Sequence, residues 1–437
     1  MITRSSSILA NGLRLVTVEM PHLHAIELAI HIKVGGRDDP PHLAGISHFL
    51  EHMLFKGSAE FPTTFDLEVA FEAIGGAINA STDAETTCYY TRLHPDYLHR
   101  GVELLASMVM RPNLPEIETE RRIIIEEALE EMNEKGVEIN PDNLAAGLLW
   151  PGHPLGQPTV GTLATIAAIG IDDLRNHLTK FYGPNNAVLV AAGPVSASAL
   201  RDAASHAFAS WHPVALSPLE GVKEEQQAPQ THLVRNSASQ VDLQLAFRGF
   251  PRSSPQIMHL RLMRRILAGG GSSRLFLILR ERLGLIYAVD AAISAYEESG
   301  LFAIDLTCSP DNLEAVVETT LGELLALARD VMAKEELDRY CQGYNFDLEY
   351  SSDSPYEMQV RFGWGELVGF VRDIDEDRQS AGALTPAEIR ETAAILFAPQ
   401  RLNLVAVGPL TVKARRKVER LVAGYEKLWQ KEFSSTR

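Results

Sequence analysis

The hydrophobic and polar positions of this chain change period several times, and those changes outline its elements. Residues 13–18 and 25–34 alternate well enough to predict strands. After a Gly- and Pro-bearing loop at 35–41, residues 45–57 switch to helical spacing. Ile46, Phe49, Leu50, Met53 and Leu54 gather on one face, His48, Glu51, His52 and Phe55 share the opposite face, and Gly57 ends the run. A second helix is predicted over 65–74, with Leu67, Ala70, Phe71 and Ile74 aligned and a stop at Gly75-Gly76. Residues 77–82 and 86–93 read as a strand pair. A third helix follows over 96–110, and Pro115 opens a fourth that runs to about residue 135. Residues 150–162, rich in Gly and Pro, read as a loop, 172–181 as a helix and 187–192 as a buried strand.

Residues 213–230 mix Pro, Gly, Glu and Gln with little apolar content, the composition of a linker. Beyond it the pattern repeats. Asp173-Leu174-Arg175 answers to Glu388-Ile389-Arg390, and Pro184 to Pro399. Leu189-Val190-Ala191-Ala192-Gly193-Pro194-Val195 answers to Leu404-Val405-Ala406-Val407-Gly408-Pro409-Leu410, at the same spacing of 215 residues. A constant spacing without gaps implies a duplication. The expected division is a first domain at 1–212, a linker at 213–230 and a repeat domain at 231–437. The same spacing sets Met263 to Leu267 against His48 to His52, and no His or Glu stands there. Any metal chemistry is therefore expected of the first half.

Composition narrows the function classes. With 437 residues, 46% apolar and 22% charged, the chain can bury a large core as a globular protein. A net charge of −17 argues against nucleic acid and anionic membrane as partners and fits basic or neutral peptides. Cys88, Cys308 and Cys341 are few, odd in number and scattered, which suggests buried thiols in a reducing compartment. The first twenty residues lack the apolar core of a secretory signal, and no apolar run reaches membrane-spanning length, so a cytoplasmic location without a membrane span is expected.

Two imidazoles one helical turn apart, His48 and His52, can hold one zinc ion with Glu51 beside it. This is H-x-x-E-H, the inverse of H-E-x-x-H. The bland alternative is an amphipathic helix with a solvated polar face. Catalytic zinc usually takes three protein ligands and a water, so one ligand must come from elsewhere. The fourth helix carries Glu116, Glu118, Glu120, Glu126, Glu127, Glu130, Glu131 and Glu134, most of which suit a solvated face. Its apolar face is Ile117, Ile124, Ile125, Ala128 and Met132; Glu120 and Glu127, seven apart, flank it, and Glu126 points nearly opposite. Glu127 is thus the expected third ligand, and Glu120 a carboxylate that orients a ligand imidazole. Zinc so held lowers the pKa of a water from about 15.7 to about 7. Glu51 then serves as the general base, and the reaction class is amide hydrolysis. Gly269-Gly270-Gly271-Ser272-Ser273 lacks the Lys of a phosphate loop and reads as a turn.

His48-Phe49-Leu50-Glu51-His52 followed by Glu127, with Glu120 seven residues before it, resembles the pitrilysin and mitochondrial-processing-peptidase family of inverted zincins. Gly75-Gly76-Ala77-Ile78-Asn79-Ala80 resembles that family's substrate-pairing edge strand. In that role the backbone at Ala77, Asn79 and Ala80 would accept a peptide as an added strand. Gly270 to Phe276 and Arg280 to Tyr287 are similar to the segment that opens the family's inactive half, so Arg280 and Tyr287 match its pair of substrate-carbonyl donors. Leu283 departs from the family, where a basic residue often stands. The resemblance spans essentially the whole chain. It implies an α+β fold of two homologous halves, each a mostly antiparallel sheet packed with helices, together forming half of a clamshell. It further implies one Zn2+ per chain, peptide substrates and a zinc-dependent endopeptidase acting as a homodimer, with a heterodimer with a related subunit as the alternative. The competing function is a non-catalytic peptide-binding or structural subunit.

Overall fold

The computed structural model describes residues 2–433 except 217, 219, 220 and 224. Met1, four positions of the expected linker and the last four of the expected repeat domain thus lie outside the described residues. The chain forms two compact units. The first comprises Met1–Glu130, Gln157–Glu220 and Glu349–Arg372; the second comprises Glu131–Gly156, Gly221–Leu348 and Asp373–Arg437.

In the first unit, β1 (Thr3–Ile8), β2 (Arg14–Glu19), β3 (Ile26–Ile32), β4 (Ile78–Thr82), β5 (Thr87–Leu93) and β6 (Ala187–Gly193) form one sheet, ordered β1-β2-β6-β3-β5-β4. All neighbours are antiparallel except β2 and β6. Helices α1 (Ile46–Leu54), α2 (Thr64–Glu72), α3 (Leu98–Met110) and α4 (Glu118–Glu130) belong to the same unit. Residues 25–34 read as an alternating strand, but β3 is buried at every position, as is β6, where a buried strand is expected. The reason is a cover on each face. Ile26, Leu28, Ile30 and Ile32 enter a core with residues of α1 and α3. On the other face the His31 ring nitrogen Nε2 lies 2.9 Å from Gln359 Oε1. Gln359 ends the helix Pro355–Gln359, which continues as a wider-wound π-type turn, Val360–Trp364. Gly363 approaches the sheet so closely that a Cβ there would stand 2.5 Å from Val190 Cγ1, so a larger residue would push the helix off.

In the second unit, β7 (Gln230–Arg235), β8 (Val241–Arg248), β9 (Ile286–Ala295), β10 (Gly300–Cys308) and β11 (Leu402–Gly408) are ordered β7-β11-β8-β10-β9. Again one pair is parallel, β7 with β11, and the rest are antiparallel. This is the topology of the first sheet from β2 onward, with no counterpart of β1 among the described residues. Strands β6 and β11 start 215 residues apart, as do the helices Ile171–Phe181 and Pro386–Leu396. Helix α5 (Pro141–Leu149) covers β8 and β11. Its Asp142 Oδ1 accepts from Gln244 Nε2 at 2.6 Å, and its Leu149 carbonyl accepts from Arg248.

The spacing of 215 residues carries α5 onto 356–364, the stretch that covers β3 and β6. Each sheet therefore takes its second cover from the other half of the sequence. For this reason the units do not follow a single cut at the linker: 131–156 belongs with the second unit and 349–372 with the first.

The fourth helix is shorter than its pattern suggested, ending at Glu130. Asn133 Oδ1 accepts the N–H groups of Lys135 and Val137 at 2.9 and 3.1 Å, competing with the helical ladder. Gly136 turns the chain at φ 70°, and Met132 pairs with Glu138 rather than extending the apolar face. All three cysteines are buried free thiols. Among the described residues no helix is long and apolar enough to cross a membrane.

Candidate active site

Helix α1 begins on a buried acid. The Asp39 carboxylate accepts the backbone N–H of Gly45 at 2.9 Å and of Ser47 at 3.3 Å, and the Ser47 hydroxyl at 2.6 Å. These are otherwise unpaired donors at a helix N-terminus, where an acceptor is favoured. Gly45 adopts φ 93°, and a Cβ there would fall 2.3 Å from the Val160 carbonyl oxygen. Burial pushes the Asp39 carboxyl up to about 7 against the hydrogen bonds it receives. Ser47 Oγ also lies 3.0 Å from His177 Nε2, whose ring burial drives to about 3. Neutral His177 therefore donates to Ser47, and Ser47 donates to Asp39.

From this anchor α1 drives Ile46, Phe49, Leu50, Met53 and Leu54 into the core. Its opposite face is enclosed too: His48 and Glu51 are each 9% exposed. Helix α4 lies against it, burying Glu120, Ile124 and Ala128 at four-residue intervals. Arg121 caps the contact, its Cζ 5.6 Å from the centre of the Phe49 ring.

The helix faces bring the three expected ligands together. His48 Nε2 lies 3.6 Å from Glu127 Oε1, and His52 Nε2 lies 3.8 Å from Glu127 Oε2. One donor atom from each of the three residues lies within 4.8 Å of the others. The two rings meet edge to face, their centres 4.7 Å apart. Glu126 is exposed. Ligand atoms of a tetrahedral zinc ion, with bonds of about 2.1 Å, stand roughly 3.4 Å apart. The separations of 3.6 and 3.8 Å are near that edge and longer than hydrogen bonds. Burial, reinforced by His52, lowers the His48 imidazole to about 4, so its neutral form offers a lone pair. The donor set of two imidazole nitrogens and a carboxylate fits zinc.

Glu120 sits behind His52, its Oε2 3.3 Å from Nδ1, and is 3% exposed. Its other oxygen forms an ion pair with Lys56. Glu51 Oε2 accepts the Thr82 hydroxyl at 2.5 Å. Burial raises the Glu51 carboxyl, the Thr82 bond and His52 lower it, and Glu127 raises it. Thr82 ends β4, the outermost strand of its sheet, on which Asn79 is exposed and Ala80 half-buried; Ala77 directly precedes it. Arg280 and Tyr287 belong to the second unit. Arg280 lies on the π-type turn Phe276–Arg282 and Tyr287 at the start of β9, with Gly284 at φ 61° between them. The Arg280 Cζ stands 5.3 Å from the Tyr287 ring centre and 4.8 Å from that of Phe276. Tyr287 is 77% exposed.

Thr82, Lys56 and the Asp39–Ser47–His177 chain escaped the sequence reading. Thr82 had a signal in the alternation of 78–82, which turns it to the same face as Ile78 and Ala80. Lys56 had one in its four-residue step from His52. Nothing local joins His177 to Ser47, which lie 130 residues apart.

Known family models match both halves: "Insulinase (Peptidase family M16)" over residues 14–163 and "Peptidase M16 inactive domain" over 168–344. A Bacillus subtilis protein named uncharacterized zinc protease YmxG is 30% identical over 394 residues, covering 89% of this chain and 94% of the relative. An uncharacterized zinc protease of Mycobacterium tuberculosis is 30% identical over 409 residues, covering 92% of each. The chain is similar in fold to a protease from Helicobacter pylori, with a TM-score of 0.87 at 20% identity over 93% of this chain and 100% of that one. It is also similar to a chain of Complex III2 from Candida albicans, with a TM-score of 0.81 at 16% identity over 95% and 99%. Among the described residues of this chain the metal-type cluster lies in the first unit alone, and the family model matching residues 168–344 is the one described as inactive. The chain belongs to peptidase family M16.

Proposed function

We propose that this chain is a zinc-dependent endopeptidase that hydrolyses peptides or unfolded segments. The observation that carries the reading is the convergence of His48, His52 and Glu127, with Glu51 on the same helix between the imidazoles. When bound, zinc supplies Lewis acidity, acidifying a water and polarising the scissile carbonyl. His48 and His52 would hold that ion through Nε2, the nitrogens that face Glu127, and Glu127 through a carboxylate oxygen. Glu120 holds the His52 ring by its far nitrogen and thereby fixes the tautomer. Glu51 takes the proton of the attacking water and returns it to the leaving amine. Strand β4 offers an edge with no second neighbour among the described residues, which suits an extended peptide held by main-chain hydrogen bonds at Ala77, Asn79 and Ala80. Arg280 and Tyr287 supply donors for substrate carbonyl oxygens. Both sets occur in one chain, which supports a homodimer; the net charge of −17 favours neutral or basic peptides.

The test is a peptide library incubated with the zinc-loaded protein, with and without chelator, beside Glu51→Gln. Cleavage that chelator and Glu51→Gln both abolish is expected. Cleavage that survives both refutes the proposal, and peptide binding without zinc or cleavage assigns the chain a binding role instead.

A further inference from the structure

The edge strand and the helix that carries Glu51 meet at one hydroxyl. Ile78, Ala80 and Thr82 turn inward along β4 while Asn79 and Ser81 turn out. This alternation delivers Thr82 Oγ1 to within 2.5 Å of Glu51 Oε2. Thr87 Oγ1 also lies near Thr82 Oγ1, at 3.5 Å. Thr87 spends its own hydrogen on the Val34 carbonyl at 2.8 Å, so it does not donate to Thr82. A hydroxyl has one hydrogen to give. The Thr82 hydrogen goes to the nearer, charged acceptor, where a hydrogen bond is strongest.

The hydroxyl stands on a rigid turn. Asp83 Oδ1 accepts the N–H groups of Glu85 and Thr86, each at 2.7 Å, and Asp83 Oδ2 accepts the Thr86 hydroxyl at 2.8 Å. The Asp83 carbonyl accepts the Gly36 N–H at 3.0 Å, and Glu85 pairs with Arg37 at 2.5 Å. A carboxylate on a glutamate side chain rotates freely about its last torsion. A donor fixed from outside the helix removes that freedom and reserves one oxygen.

We propose that Thr82 is a positioning residue for the general base: it holds Glu51 Oε2 and leaves Oε1 to exchange the proton with water and leaving amine. The inference rests on Glu51 being the base. It also makes β4 serve twice, since the strand whose backbone would seat the peptide also orients the group that moves the proton. A peptide that pairs along Ala77 to Ala80 then lies in register with a base held by the next inward residue.

The test compares Thr82→Val, which keeps the shape and removes the hydroxyl, with Thr82→Ser, which restores it. On an internally quenched peptide, kcat of Thr82→Val is expected to fall roughly ten- to a hundredfold, the loss of one hydrogen bond to a charged group. KM should stay near wild type, and Thr82→Ser should recover most of the rate. Zinc content by atomic absorption should equal wild type in both. In the Glu51→Gln background, Thr82→Val should leave peptide affinity, read by fluorescence anisotropy, unchanged. A crystal structure of Thr82→Val should show the Glu51 carboxylate released from its single orientation. Unchanged kcat in Thr82→Val, failure of serine to rescue, loss of zinc, or a change in KM alone would each overturn the positioning role. The two readings fail separately. A dead Glu51→Gln with a fully active Thr82→Val removes only the role of Thr82, whereas a fully active Glu51→Gln removes the base and this proposal with it.

Discussion

Replacing Glu120 separates the orientation of a ligand from its identity. Glu120 touches no expected metal position; it reaches Nδ1 of His52 at 3.3 Å with one oxygen and pairs with Lys56 through the other. It is 3% exposed, so water cannot readily take its place. In Glu120→Gln the side chain has one acceptor instead of two. If the amide oxygen faces His52, the amide NH2 confronts the Lys56 ammonium. If it turns round, the NH2 faces Nδ1 and drives the imidazole hydrogen to Nε2, the nitrogen that faces Glu127, where it blocks the lone pair needed for metal. Either arrangement weakens zinc binding, by about 10–100-fold for the loss of such a supporting carboxylate, or roughly 1.4–2.8 kcal/mol. The side chain of Lys56 is 27% exposed and can turn to solvent, so the apo fold should survive. Zinc affinity measured by competition with a chromophoric chelator checks this, with thermal unfolding of the apo protein as the control for folding. Glu126→Gln, altering an exposed neighbour on the same helix, should bind zinc as wild type does. A Glu120→Gln protein that folds and binds zinc with wild-type affinity would refute the orientation argument.

Glu51→Gln should retain zinc, by metal analysis, while peptide hydrolysis falls by roughly 10²–10⁴; full activity would show that Glu51 is not the base. Arg280→Ala and Tyr287→Phe should each fold, dimerise and retain zinc yet lose much of the peptidase activity. If each site draws on two chains, mixing Glu51→Gln with Tyr287→Phe should restore part of the activity; no recovery, with subunit exchange shown, means that each site is built within one chain. A fourth prediction concerns pH. Burial lowers His31 from its ordinary 6.5 to about 4. Above pH 6.5 both folded and unfolded chains hold it neutral and it has no effect. As pH falls from 6.5 toward 4 the unfolded chain binds a proton that the folded chain refuses, so stability is lost across that window. The loss is about 3 kcal/mol, and denaturant midpoints of His31→Gln should fall less steeply over it; equal slopes in the two proteins would exclude His31 as a source.

Much of the fold was legible because it depends on period and punctuation. The strands β2, β3 and β5 and the helix from residue 171 lie within a few residues of their expected positions. The duplication was visible because β6 and β11 are both buried on two faces, which leaves only small and branched apolar residues free to vary. The end of α4 is hidden in the sequence because Met132, two residues beyond it, continues the helical period while Asn133 and Gly136 break the backbone. Period reports where a side chain would point if the helix went on; it does not report that it stops.

The cover of each sheet was hidden for a different reason. Residues 141–149 and 355–364 have the apolar spacing of helices that need a partner, but spacing says nothing of which sheet supplies it. Both sheets have the same topology and both bury two faces, so each helix suits either one by pattern alone. What distinguishes them is specific contact: Gln359 with His31 and Gly363 against Val190 on one sheet, Asp142 with Gln244 on the other. The residues joined by these contacts lie between 102 and 328 positions apart for the hydrogen-bonded pairs, beyond the reach of any local pattern. The site divides in the same way. His48, Glu51 and His52 share one helix and Glu120 and Glu127 another, so their faces could be read from periodicity. Thr82 reaches Glu51 only through the pairing of β4 in the sheet, and His177 reaches Ser47 only through the packing of two distant helices. The groups that would perform the chemistry are thus written in short-range spacing, whereas the groups that hold them still are written in the tertiary fold.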